Sequence, residues 1–124
     1  MREMLFRGKR IDNGEWVYGD LIHIGSKSYI THCVDSDTVG QYTGLTDKNG
    51  KKIFEGDIVK VTGLYPDRDG EKRIWRQIRV GEVFYYHGAY YFDKWLLCKT
   101  SEKCLEVIGN IHDDPELLEI VDEP

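Results

Sequence analysis

The residues best suited to chemistry by type and spacing are the basic ones between Lys72 and Arg79. Lys72, Arg73, Arg76 and Arg79 crowd one predicted strand, with Trp75 and Gln77 among them. Side chains alternate across a strand, so Arg73, Trp75, Gln77 and Arg79 share one face, and Ile74, Ile78 and Val80 the other. Arg76 joins the first group only near the strand's edge. An outward tryptophan between guanidinium groups suits single-stranded nucleic acid: a base stacks on the indole while the arginines meet phosphates. Tyr85, Tyr86, Tyr90 and Tyr91 lie on neighbouring predicted strands and extend that surface. The same residues also suit a protein interface, where Trp, Tyr and Arg are the usual anchors, or an arginine layer whose stems cover an exposed ring. With 17 Lys plus Arg against 22 Asp plus Glu, the chain carries a net charge of -5. That balance argues against a general polyanion binder.

Other combinations assemble no reaction centre. Cys98 and Cys104 are too far apart in sequence for a zinc knuckle, and the adjacent His32 and Cys33 point to opposite faces of a strand. His23, His87 and His112 stand alone. Aligning Gly50 with the turn glycine of a calcium loop puts Leu45 and Gly56 at the first and last ligand positions, which neither can serve. Glu55 and Asp57 form a carboxylate pair without an obvious partner to separate their pKa values; Asp57 reads as bonding the backbone of its own turn. No Gly-x-Ser-x-Gly elbow, phosphate-cradling loop or dinucleotide fingerprint is present. The sequence therefore points to a non-enzymatic protein with no catalytic residue, metal or cofactor.

The elements that would position these residues are mostly strands. Glycines recur about every ten residues, and the runs between them alternate or are β-branched and aromatic. Trp16 to Ile24 reads as a strand running through Gly19 and Asp20, turning at Gly25, Ser26 and Lys27 and returning over Ser28 to Val34. Asp47 to Gly50 is a second turn, followed by a strand from Ile58 to Thr62. Gly63 to Glu71 is a polar exposed loop. Strands are predicted over Arg73 to Val80, Glu82 to Tyr86 and Ala89 to Phe92, with His87 and Gly88 as a two-residue hairpin turn, and then over Leu105 to Ile111. Only the tail is helical in pattern: Asp114 as cap, Pro115 in the first turn, then Glu116, Leu117 and Leu118. Short hairpin-linked strands leave edges, and closure into a small barrel is one way to remove them.

A length of 124 residues suits one compact unit. No apolar run approaches the roughly 20 residues that span a bilayer, and the charged start from Met1 to Arg10 lacks a secretory core. These features predict a soluble, intracellular protein, with Cys33, Cys98 and Cys104 as free thiols in a reducing cytoplasm. The stretch from Asp113 to Pro124 holds six acidic residues and no basic one.

Three blocks together resemble a known family: Phe6 and Arg7 with Trp16 to Asp20 (WVYGD), Gln41 to Val59 (QYTGLTDKNGKKIFEGDIV), and Glu106 to Leu118 (EVIGNIHDDPELL). They look like the YopX family of small phage and prophage proteins, and the departures fall between Gly63 and Leu105. The resemblance implies an all-β fold with an SH3-like barrel over 51–124 and an N-terminal β segment over 1–50. It implies no catalytic residues. Within the blocks, Gly44, Gly50 and Gly56 read as turn residues, Ile53, Phe54, Ile58 and Val59 as core, and Val107, Ile108 and Ile111 as a closing strand. Trp16, Tyr18, Gln41, Tyr42, Tyr85 and Tyr90 are the candidates for a groove or interface. The functional expectation is a small-barrel module that binds protein, including copies of itself, with single-stranded nucleic acid through Arg73, Trp75, Arg76 and Arg79 as the alternative.

Overall fold

The structure is a computed structural model and describes residues 4–61, 65–66, 72–73, 79–93, 95–99 and 104–119. In chain order the strands are β1 (Phe6–Lys9), β2 (Trp16–Gly19), β3 (Ile22–Ile24), β4 (Lys27–Ile30), β5 (His32–Val34), β6 (Gly40–Thr46) and β7 (Lys52–Phe54). They continue with β8 (Asp57–Val61), β9 (Tyr65–Pro66), β10 (Lys72–Arg73), β11 (Arg79–Tyr86), β12 (Ala89–Phe92), β13 (Trp95–Leu96) and β14 (Leu105–Asn110). All pairings are antiparallel and form sheets ordered β2-β1-β6-β7, β3-β4-β5 and β13-β12-β11-β8-β14, with β9 and β10 as a separate pair. The all-β expectation holds.

The main core is Ile53, Val59, Val61, Val83, Phe92, Leu97 and Leu105, drawn from the first and the five-stranded sheets and from the 3-10 turn Leu97–Lys99. Ile53, Phe54, Ile58 and Val59 are buried as expected; each is one of an adjacent apolar pair, so both faces of β7 and β8 are covered here. A second contact joins β1 to the three-stranded sheet: a Cβ at Gly8 would lie 3.1 Å from the Val34 side chain and 3.3 Å from that of Ile30, so any larger residue would require these side chains to give by a few tenths of an ångström.

Several boundaries differ from expectation. The strand predicted over Trp16 to Ile24 breaks at Asp20 and Leu21, and its two halves join different sheets. The return strand is divided at Thr31, whose φ is +59°. Gly44 lies inside β6, at φ +87°, where the register against β7 shifts between Tyr42 and Thr46. Tyr65 and Pro66, predicted to be loop, pair with Lys72 and Arg73. The strands predicted over 73–80 and 82–86 are redistributed: Arg73 ends β10, whereas β11 runs unbroken from Arg79 through Gly81 to Tyr86. The tail is a 3-10 helix over Pro115–Glu119; the Asp114 carboxylate accepts from the Asn110 N–H at 3.4 Å, and its carbonyl accepts the Leu117 N–H at 3.0 Å. Barrel closure is not found: β13 and β14 are the two edges of the five-stranded sheet, and no ladder joins them among the described residues. The β6-β7 ladder pairs residues on both sides of position 50.

The His87–Gly88 turn is as predicted, with both residues at positive φ, +46° and +86°, the signature of a two-residue type I′ hairpin. Its geometry matters for the site. The lower half of β11, Arg79 to Glu82, pairs with β8, and the upper half, Val83 to Tyr86, pairs only with β12. The hairpin tip therefore overhangs the sheet.

Candidate functional site

The polar centre begins at Arg7. Its cross-strand neighbours are Tyr18 on β2 and Gly40 on β6, which puts Arg7 and Tyr18 on one face together with the pair Lys9 and Trp16. The guanidinium carbon sits 4.7 Å from the Trp16 ring centre and 5.0 Å from that of Phe54. Arg7 Nη2 lies 2.7 Å from Asp57 Oδ1, with Arg7 5% and Asp57 1% exposed. The second oxygen of Asp57 accepts the Phe54 N–H at 2.8 Å, the local turn bond expected of it. Burial pushes the Asp57 carboxyl above its ordinary value, and the adjacent guanidinium opposes that shift without cancelling it.

Asp113 is the second hub. It pairs with Lys9 and accepts from Trp16 Nε1 at 2.8 Å and from the Asn110 side-chain amide at 3.0 Å. The Lys9 and Trp16 hydrogen bonds hold its carboxyl well below the usual carboxylate range. His112 stacks obliquely on Trp16, with ring centres 5.8 Å apart. Burial, followed by the Arg7 and Lys9 charges, keeps its imidazole below the ordinary histidine value.

Asp47 is the third. One oxygen accepts the N–H groups of Asn49 and Lys51, both at 2.9 Å, and the other accepts from Val107 at 3.0 Å. Burial raises this carboxyl, but the N–H groups of Val107, Lys51 and Asn49 outweigh it and leave the pKa lowered. Asp47 thus ties its turn to β14.

These hubs join the three sequence blocks pairwise: Arg7 to Asp57, Trp16 to Asp113, and Asp47 to Val107. The motif residues are one interlocked network whose acceptors are occupied by the protein's own donors. Glu55 fits the same pattern, its Oε1 accepting the Gln41 N–H at 2.8 Å. Among the described residues no three His, Cys, Asp or Glu side chains converge as metal ligands. Cys33, Cys98 and Cys104 are free thiols.

Most of the predicted basic platform lies outside the described residues. Arg73 lies on β10, Arg79 opens β11, and Trp75 and Arg76 lie outside the described residues. The Arg79 guanidinium sits 4.3 Å from the Trp95 ring centre, a partner the sequence did not suggest.

The groove aromatics separate into three places. Trp16 belongs to the Arg7 stack. Tyr18 and Tyr42 flank Phe54, with ring centres 5.5 and 5.6 Å away. Tyr85 and Tyr90 face each other across the overhanging hairpin at 5.3 Å, and with Gln41, Thr43 and Cys98 they line a groove of about 710 Å³. On the hairpin's other face Phe84 stacks on Tyr91 at 5.8 Å, and Tyr86 meets Tyr91 edge-on at 6.3 Å. Tyr85 and Tyr86 are 56% and 57% exposed. Sequence reasoning placed Tyr85 and Tyr90 together, and Tyr90 packs against the main core; it passed over Phe84, which alternation assigns to the opposite face and which is 37% exposed.

The fold and site define a small antiparallel β protein with an interlocked polar network and a hairpin that exposes Phe84, Tyr85 and Tyr86. The chain matches the YopX protein family over residues 9–119 and belongs to that family. It is also similar to the crystal structure of protein EF1440 from Enterococcus faecalis, with a TM-score of 0.57 and 26% identity, covering 95% of this chain and 99% of that one. No curated protein matches it.

Proposed function

We propose that the chain is a non-enzymatic β module that binds protein, including a second copy of itself, through the overhanging β11-β12 hairpin. The observation that carries this reading is the run Phe84, Tyr85 and Tyr86, three consecutive aromatic residues all exposed on a strand half with only one hydrogen-bonded neighbour. Consecutive strand residues face opposite ways, so Phe84 and Tyr86 present rings on the outer face while Tyr85 presents one at the mouth of the groove. Burial of a ring of this size contributes about 1.5–3 kcal/mol. Such aromatics are the usual anchors of interface cores. The edge strand β3 adds a second adhesive element, with Ile22 and Ile24 both exposed. An accessory role in a phage or prophage, within the host cytoplasm, follows the family resemblance.

The network around Arg7 and Asp57 supports a binding role over turnover, since its charged groups are engaged in holding the sheets together. Light scattering across micromolar concentrations tests the reading. Wild type gains mass with concentration, and Tyr85→Ser/Tyr86→Ser stays monomeric with unchanged circular dichroism. A wild-type protein that remains monomeric throughout removes the self-association.

A further inference from the structure

One face of the first sheet carries an unbroken run of cations and rings. Lys9 lies over Trp16, Trp16 over Arg7, and Arg7 over Phe54; Phe54 meets Tyr18 and Tyr42, and the Lys52 ammonium sits 4.9 Å from the Tyr42 ring centre. A pocket of about 330 Å³ opens in this run, lined by Leu5, Arg7, Tyr18, Lys51, Lys52 and Phe54. It is separate from the groove beside the hairpin and shares no lining residue with it.

Three of the six lining residues are cationic and none is acidic, on a chain whose net charge is -5. The walls are rings and an aliphatic side chain. Arg7 is neutralised by Asp57 and fixed between two rings, so it forms a rigid wall, and its buried Nε has no acceptor among the described residues. Lys51 and Lys52 are exposed and bring positive charge to the mouth. Against the prevailing negative field, such a cavity concentrates anions, and its flat apolar walls select those with a planar body.

We infer that this pocket binds a small organic anion with an aromatic body, the ring packing against Tyr18 and Phe54 and the carboxylate or phosphate meeting Lys51 and Lys52. The site needs neither the hairpin nor self-association.

Phenyl phosphate is the probe, with benzyl alcohol supplying the ring without the charge and inorganic phosphate the charge without the ring. Titrated into the full chain and followed by amide NMR, phenyl phosphate produces saturable shifts at Leu5, Tyr18 and Lys51 to Phe54. Benzyl alcohol and inorganic phosphate bind there about tenfold more weakly. Lys51→Ala/Lys52→Ala lowers phenyl phosphate affinity by about tenfold, and Lys51→Arg/Lys52→Arg, which keeps the charge, retains it. Both substitutions fall at exposed positions, and the dispersion of the same spectra verifies the fold. Absence of saturable shifts at these amides, equal binding of either control, or full affinity in the Ala variant would overturn the assignment.

Discussion

Arg7 Nη2 and Asp57 Oδ1 meet at 2.7 Å with both side chains withdrawn from water, joining the first strand of one sheet to the start of β8 in another. Two charges out of solvent are tolerable only as a pair. Removing one leaves the other without compensation, which typically costs about 3–5 kcal/mol, whereas replacing both costs far less.

Arg7→Met is therefore expected to lose about 3–5 kcal/mol in urea denaturation. Arg7→Met/Asp57→Asn should recover much of it, because the amide oxygen can still accept the Phe54 N–H. A double variant as unstable as the sum of the single variants would mean that the two groups are not coupled.

Asp47→Ala deprives the N–H groups of Asn49, Lys51 and Val107 of their acceptor at once. Water can reach the N–H groups of the exposed Asn49 and Lys51, whereas Val107 is only half exposed; a buried unsatisfied donor costs about 1–3 kcal/mol, and the variant should lose about that much. Lys48→Ala beside it removes only a partly exposed contact with Glu106 at 3.8 Å and should change stability by less than about 1 kcal/mol. Chemical denaturation of the two side by side checks the contrast.

Acid sensitivity begins at His112. Its folded pKa is below the ordinary 6.5, so the unfolded chain takes up the proton first, and the stability present above that value is lost as pH falls through the folded pKa. Asp47 and Asp113, also lowered, lose theirs further down, below the ordinary 3.8. Asp57, raised, contributes with the opposite sign and partly offsets them. Melting temperature should fall from about pH 7 to about pH 5 in wild type and stay flat over that window in His112→Gln; identical slopes would remove His112 as the source.

Much of the fold was legible because it depends on local chemistry. Apolar character located Ile53, Phe54, Ile58 and Val59 in the core, and the His87–Gly88 pair announced its own turn. What escaped depends on distant neighbours. Nothing near Arg7 in sequence marks it as the partner of Asp57, and a motif glycine such as Gly44 looks like a turn although it serves a register shift inside β6. Asp47 was read as a turn residue, which it is, but its bond to Val107 spans sixty residues. Trp95 carried no pattern, and only the structure sets Arg79 against it. The barrel expectation overreached because strand count and glycine spacing say nothing of whether the edges meet.

Gly40 illustrates such a long-range demand. A Cβ there would lie 2.5 Å from the Glu55 carbonyl oxygen, a backbone atom that cannot move aside cheaply. Gly40→Ala should lose about 1–3 kcal/mol or more, while Gly25→Ala, with open space around its Cβ but φ at +63°, pays only backbone strain. Thermal melts of both variants decide whether close approach or conformation is the greater constraint.

The reading of the hairpin as the recognition element is tested most directly by amide hydrogen exchange of the wild-type chain at low and high protein concentration. The account predicts that protection rises with concentration across Phe84 to Tyr91 and leaves the amides around Arg7 and Asp57 unchanged. Protection that is independent of concentration at the hairpin, or that rises only elsewhere, would contradict it.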